Sequence, residues 1–118
     1  MTGTDSITTL TDAIRDFARE RNWEQFHDPK SLILALVGEV GELAELFQWV
    51  PADEAASRFA EPARNIRAAE ELSDVLIYLL RLADVLGVDL ADAAVAKLES
   101  AGRRYAPSEF SGIAPDKQ

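Results

Sequence analysis

Cysteine is absent from this chain, and histidine occurs once, at His27. Disulfides and thiolate-bound metals are therefore excluded, and zinc, which draws on thiolates and imidazoles, has no ligand set here. Di-iron bundles take a Glu-x-x-His motif from each of two helices, and a single loop histidine cannot supply them. No run approaches the roughly 18 uninterrupted apolar residues of a membrane span. The start, Met1-Thr2-Gly3-Thr4-Asp5, lacks the basic and apolar segments of a secretory signal. A reducing, cytoplasmic setting without membrane attachment is the expectation. Basic residues are also in the minority, with 12 Lys and Arg against 21 Asp and Glu and a net charge of −9. Such a chain repels a nucleic-acid polyanion. It remains compatible with a small anionic substrate bridged by divalent cations.

Alternating polar and apolar runs are missing too, so no strand is expected, and no internal repeat marks a solenoid. Helical periodicity fills most of the 118 residues. A first helix is predicted over about 6–21, with Leu10, Ala13, Ile14 and Phe17 on one face. Asp28-Pro29 is an N-cap followed by proline at the first helical position, opening a helix that runs to about Trp49 and stops before Pro51. A looser acidic stretch follows, with a short helix around Asp53–Phe59. A third long helix starts near Pro62 or Ile66 and ends at Gly87. The fourth runs from about Leu90, capped by Asp89, to Ala101, with Gly102 as its expected end. These elements predict one all-α domain over 1–118, a bundle of four main helices with its core at about 6–105 and a weakly ordered tail from 106. Gly38 and Gly41, inside the second helix, imply close packing there, against either another helix of this chain or a second subunit.

Against this pattern, four carboxylates occupy positions that a helical protein keeps apolar. Glu39 and Glu42 are spaced i, i+3, as are Glu71 and Asp74, so each pair shares one helix face. At roughly 100° per residue, Glu39 falls in the stripe of Leu32, Leu36, Leu43, Leu46 and Val50. Glu71 falls among Val75, Tyr78, Leu82 and Val85, with Asp74 at its edge. A lone Glu-x-x-Glu is usually a solvated face, and Glu45, Glu70 and Glu99 fit that description. Two pairs embedded in apolar stripes do not, because ionised carboxylates are rarely buried unless they are paired or bind a metal. Oxygen ligands alone suit Mg²⁺, Mn²⁺ or Ca²⁺.

With no Ser–His or Cys–His arrangement, an oxygen-ligated cation points to metal-assisted hydrolysis of a phosphate compound. Trp23 and Trp49, both at helix–loop junctions, are candidates to stack on a base, whereas Phe47 reads as core. Tyr78 shares the face of Glu71 and Asp74, where it is either a core tyrosine or a group reaching the site. His27 is either a plain loop residue or a ligand contact. Lys97, Arg103 and Arg104 are natural counter-charges for a polyphosphate, although the two arginines also suit a helix C-terminus.

The run from Leu34 to Trp49 (LALVGEVGELAELFQW), with Glu70–Tyr78 (EELSDVLIY), resembles the MazG-like all-α nucleoside triphosphate pyrophosphohydrolases. Arg21–His27 (RNWEQFH), and Lys97 followed by Arg103-Arg104-Tyr105, look closest to the branch acting on dCTP and 5-modified dCTP. The resemblance covers about residues 7–105. It implies hydrolysis between the α and β phosphates, giving a nucleoside monophosphate and pyrophosphate. It also implies that Glu39, Glu42, Glu71 and Asp74 form the catalytic set and hold Mg²⁺ (Mn²⁺ as an alternative). Trp23 and Trp49 would wall the base, with His27, Tyr78, Lys97 and Arg103 near the nucleotide. A homotetramer built as a dimer of dimers, or a homodimer, is implied, with sites near subunit interfaces. Two positions depart from the family pattern. Ala101 stands where an asparagine is common, and Ile14 where vertebrate members carry a histidine. The departure at Ala101 keeps a rival open, a non-catalytic helical module that binds metal–nucleotide as a sensor or scaffold.

Overall fold

The computed structural model describes residues 3–116, and every regular element among them is helical. Residues 1, 2, 117 and 118, the extreme ends of the expected domain, lie outside that description. Helix α1 (Gly3–Glu20) ends at Asn22, whose φ of 54° is the left-handed conformation of a helix C′ residue. The Asn22 N–H donates to Arg19 O at 3.0 Å and the Trp23 N–H to Ala18 O at 2.9 Å. This double closure turns the chain sharply and delivers Trp23 and the 3-10 turn Glu24–Phe26 to the side of the bundle.

Helix α2 (Pro29–Glu45) begins as expected, with Asp28 Oδ1 accepting from the Ser31 N–H at 2.9 Å and Oδ2 from the Ser31 hydroxyl at 2.7 Å. It ends four residues short of Trp49. Beyond Glu45 the winding tightens to i→i−3 bonds, such as Phe47 N–H to Ala44 O at 3.0 Å. Pro51 bars any return to helix just beyond this tightened turn, because it disfavours helical geometry at Val50 and offers no N–H to continue the ladder. A 3-10 turn (Ala52–Glu54) and α3 (Ala55–Arg58) occupy the acidic connection, where Phe47 stacks on Phe59 at 4.1 Å.

Helix α4 (Pro62–Val85) is the longest element, and it closes on Gly87 at φ 70°. There the Gly87 N–H reaches Asp84 O at 3.0 Å and the Val88 N–H reaches Ala83 O at 2.9 Å. Helix α5 (Leu90–Arg104) is capped by Asp89 and passes through Gly102, which does not end it as expected. A mid-helix glycine costs only about 1 kcal/mol relative to alanine, and the stop comes where Pro107 follows. One further turn, α6 (Pro107–Phe110), sets Phe110 edge-on against Tyr105 at 5.2 Å.

Helix α2 packs along α4, α1 packs against α4, and α5 touches α1. Among the described residues the buried apolar set is small: Ala18, Leu32, Ala68, Leu80, Ala83 and Ala91. Leu34, Val37, Ile66, Leu72 and Leu98 are among the many large apolar side chains left exposed. The radius of gyration is 17.4 Å, against about 13.5 Å for a compact chain of this length. Among the described residues, Gly38 and Gly41 meet nothing within 4 Å of where a Cβ would stand, so they serve no packing against another described helix of this chain. Among the described residues, no helix is long and apolar enough to cross a membrane.

Candidate functional site

The α2–α4 pairing turns both i, i+3 carboxylate pairs toward the seam between the helices. Oxygen atoms of Glu39, Glu42 and Glu71 lie within 4.8 Å of one another. Glu71 is only 5 % exposed, Glu39 is half-buried and Glu42 is open to solvent. Arg67, one turn before Glu71, places Nη2 3.2 Å from Glu71 Oε1. That leaves Oε2 of Glu71 and Oε2 of Glu39 buried with no hydrogen-bond partner among the described residues. A buried, unpaired acceptor costs free energy, and two of them in one carboxylate cluster are unusual in a folded protein.

The electrostatics agree with the geometry. Burial, and next the Glu42 carboxylate, push both Glu39 and Glu71 above the usual carboxylate range. Asp74 adds to the repulsion on both, while Arg67 relieves Glu71 in part. A hard divalent cation would answer all of this at once, supplying positive charge and taking up the orphan oxygens. The donor set is all oxygen, as Mg²⁺ and Mn²⁺ prefer.

Asp74 is exposed and stands outside the 4.8 Å set. With Glu39 it borders a neighbouring half-open cavity of about 240 Å³, lined also by Ile14, Phe17, Trp23, His27, Ile77, Tyr78 and Arg81. The acidic cluster therefore opens directly onto an aromatic-walled space. Trp23 packs edge-on to Phe17 at 5.8 Å, and the Arg21 guanidinium sits 3.6 Å from the Phe17 ring centre. Tyr78 lies half-buried on the same wall.

His27 enters this cavity from the 3-10 turn. Arg81 Nε donates to His27 Nδ1 at 2.9 Å. Burial, and then the Arg81 charge, hold the imidazole below its ordinary pKa of 6.5, so the ring is neutral at pH 7. Arg81 also donates from Nη1 to Asp84 Oδ2 at 2.9 Å, and Arg15 grips the same carboxylate from Nε at 2.8 Å and Nη2 at 2.6 Å. The Arg15 hydrogen bond is the main reason the Asp84 carboxyl lies below its usual range. Arg81, Asp84 and Arg15 are residues that sequence reasoning missed. Yet Arg81 continues the row of Glu71, Asp74 and Tyr78 on one face of α4. An arginine in that apolar stripe is the same signal that singled out the carboxylates.

Three expected residues are not gathered here. Trp49 lies past the end of α2 and is 85 % exposed. Lys97 and Arg103 lie exposed on α5, away from the cavity lining.

Comparison with known proteins places these features in a family. Residues 35–115 match the model of the MazG-like family. The chain is 53 % identical over 103 residues to dCTP pyrophosphatase 1 of Bos taurus, covering 85 % of this chain and 61 % of that protein. It is 53 % identical over 100 residues to dCTP pyrophosphatase 1 of Homo sapiens, covering 82 % of this chain and 59 % of that one. The chain thus spans about three fifths of the length of these curated relatives. Among solved structures it resembles a pyrophosphatase from Archaeoglobus fulgidus with a TM-score of 0.78 and 37 % identity, covering 86 % of this chain and 93 % of that one. On the family match and this structural relative together, the chain belongs to the MazG-like family.

Proposed function

We propose that this protein is a Mg²⁺-dependent nucleoside triphosphate pyrophosphohydrolase acting on dCTP or 5-modified dCTP. It cleaves between the α and β phosphates and releases a nucleoside monophosphate and pyrophosphate. The observation that carries this reading is the pair of partnerless buried oxygens, Glu39 Oε2 and Glu71 Oε2, in a carboxylate cluster that opens onto an aromatic cavity. The printed names of the relatives supply the substrate class.

In this reading Glu39, Glu42, Glu71 and Asp74 hold the cation and orient the attacking water. The ion, when bound, neutralises charge developing on the phosphates and lowers the pKa of a coordinated water. Glu39 and Asp74 belong to both the cluster region and the cavity wall, so a base in the cavity carries its phosphates toward the carboxylates. Trp23 offers the base an aromatic face, and stacking of this kind contributes about 1–3 kcal/mol per base. His27 and Tyr78 present polar atoms to the nucleoside. Trp49, Lys97 and Arg103 stand outside the cavity of the single chain, and we assign them to a site completed between copies of it. The exposed apolar surface and the extended shape support a homotetramer arranged as a dimer of dimers, or a homodimer. The setting is the cytoplasm, where free nucleotides are found.

The test is product analysis of dCTP, 5-methyl-dCTP, dTTP, dUTP and the purine triphosphates incubated with Mg²⁺, with Mn²⁺ and with EDTA. We expect pyrophosphate and dCMP or its 5-methyl form, with no turnover in EDTA. Orthophosphate as the first product would overturn the cleavage position. Calorimetric binding of nucleotide with no product would favour the sensor or scaffold module instead.

A further inference from the structure

Arg81 is an arginine in the apolar row of α4, its side chain 8 % exposed, and its Nη1 donates to an Asp84 carboxylate that Arg15 also grips. Its Nε–H is spent on His27 Nδ1 at 2.9 Å. A guanidinium has no acceptor and keeps its protons, so the nitrogen it faces must carry a lone pair. In a neutral imidazole that leaves the proton on Nε2. The His27 ring lines the cavity, and Nε2–H is then the only hydrogen-bonding group it has left to offer.

We propose that Arg81 is a positioning residue, which through its Nε–H fixes the ring orientation of His27 and its Nε2–H tautomer. His27 thereby presents a fixed hydrogen-bond donor to an acceptor edge of the nucleobase. This rests on the reading of the cavity as the base site and adds a selection rule to it. Opposite N3 such a donor separates the pyrimidines, because N3 of cytosine accepts whereas N3 of thymine or uracil carries a proton; O2 accepts in all three. The anchoring of Arg81 is built to hold: Asp84 on the same helix takes Nη1, and Arg15 from α1 fixes Asp84 by two bonds. Loss of the Arg81 side chain leaves that Arg15–Asp84 pair in place, so the α1–α4 contact does not depend on Arg81 alone.

Because the chain has one histidine, its tautomer can be read without ambiguity by long-range ¹H–¹⁵N correlation of the full chain at pH 7.5. We expect an unprotonated Nδ1 and a protonated Nε2 in the wild type, moving to exchange-averaged shifts in Arg81→Met and returning toward the wild-type pattern in Arg81→Lys. A protonated Nδ1 in the wild type overturns the proposal without any variant. In parallel, the affinity for the non-hydrolysable α,β-methylene analogue of dCTP with Mg²⁺ is measured calorimetrically in a double-mutant cycle of Arg81→Met and His27→Gln. Arg81→Met is expected to weaken the analogue by about 10-fold, the scale of one lost hydrogen bond, with little further loss once His27 is glutamine. Equal losses in both backgrounds would show that Arg81 acts by another route and defeat the proposal. A fixed Nε2–H tautomer in a protein that binds no nucleotide would instead defeat the base-site reading and leave the Arg81–His27 lock standing.

Discussion

Glu39 and Glu71 each bury an Oε2 that no described residue satisfies. Both carboxyls are held above their ordinary pKa of 4.5, first by burial and then by Glu42. The sign of the resulting pH effect follows. Between 4.5 and the raised folded value, the folded chain binds more protons than the unfolded one, so these groups lose stability as pH rises through that window. In EDTA, Glu39→Gln should therefore melt above the wild type at pH 7.5, by a few degrees, and show a flatter decline as pH rises above 4.5. The same variant should lose the Mg²⁺-induced rise in melting temperature and on the order of 100-fold or more of its pyrophosphate release. A variant that melts lower than the wild type in EDTA would mean that Glu39 is a structural partner and not a strained ligand. His27 runs the other way, since its lowered pKa gives stability as pH rises toward 6.5. The clash of carboxylate with apolar stripe was legible at Glu39 and Glu71. Asp74 was read at the edge of its stripe and is exposed; how far outward it sits was not legible, because i, i+3 spacing defines a face and leaves the depth of the seam open.

At the scale of elements, starts marked by a capping residue or a proline were more legible than most ends, while the first helix, with no such mark, begins at Gly3 and not near residue 6. Asp28, Pro29, Pro62 and Asp89 act locally, through their own side chains or rings, and the helices begin where those residues stand. Ends depend on competition over several residues. Gly102 is overridden by the helix around it, and α2 tightens before Pro51 instead of running to Trp49. The glycines of α2 show what a single-chain pattern cannot convey. Leu34, Val37, Gly38 and Gly41 form an i, i+3, i+4, i+7 row that is exposed along its length, and no neighbour approaches the glycines. In an isolated chain Gly41→Ala would gain about 1 kcal/mol of helix propensity. If a second copy packs its helix here, the added methyl pushes the two apart. We expect the second outcome, with subunit dissociation about 10-fold or more easier by analytical ultracentrifugation. An unchanged assembly with a higher melting temperature would show that this face stays in water.

For the whole molecule, the small buried set and the 17.4 Å radius of gyration describe a chain that leaves much of its apolar surface without a partner. At about 25 cal/mol per Å² of apolar area, covering such faces is a large driving force, and contiguous exposed patches of this kind mark contact sites. The same gap appears in the chemistry. The cavity of one chain holds Trp23, His27, Tyr78, Glu39 and Asp74, while Trp49, Lys97 and Arg103 are exposed and outside its lining. If assembly completes the site, activity and association must share one concentration dependence. Dilution through the dissociation range seen by sedimentation should lower specific activity in proportion to the assembled fraction, and lower the melting temperature with it. Mg²⁺–dCTP should shift both curves to lower protein concentration, because a ligand held by two copies stabilises their contact. A monomer that keeps full specific activity would confine the site to one chain. Trp49, Lys97 and Arg103 would then have no part in it, and the apolar faces would need a different partner.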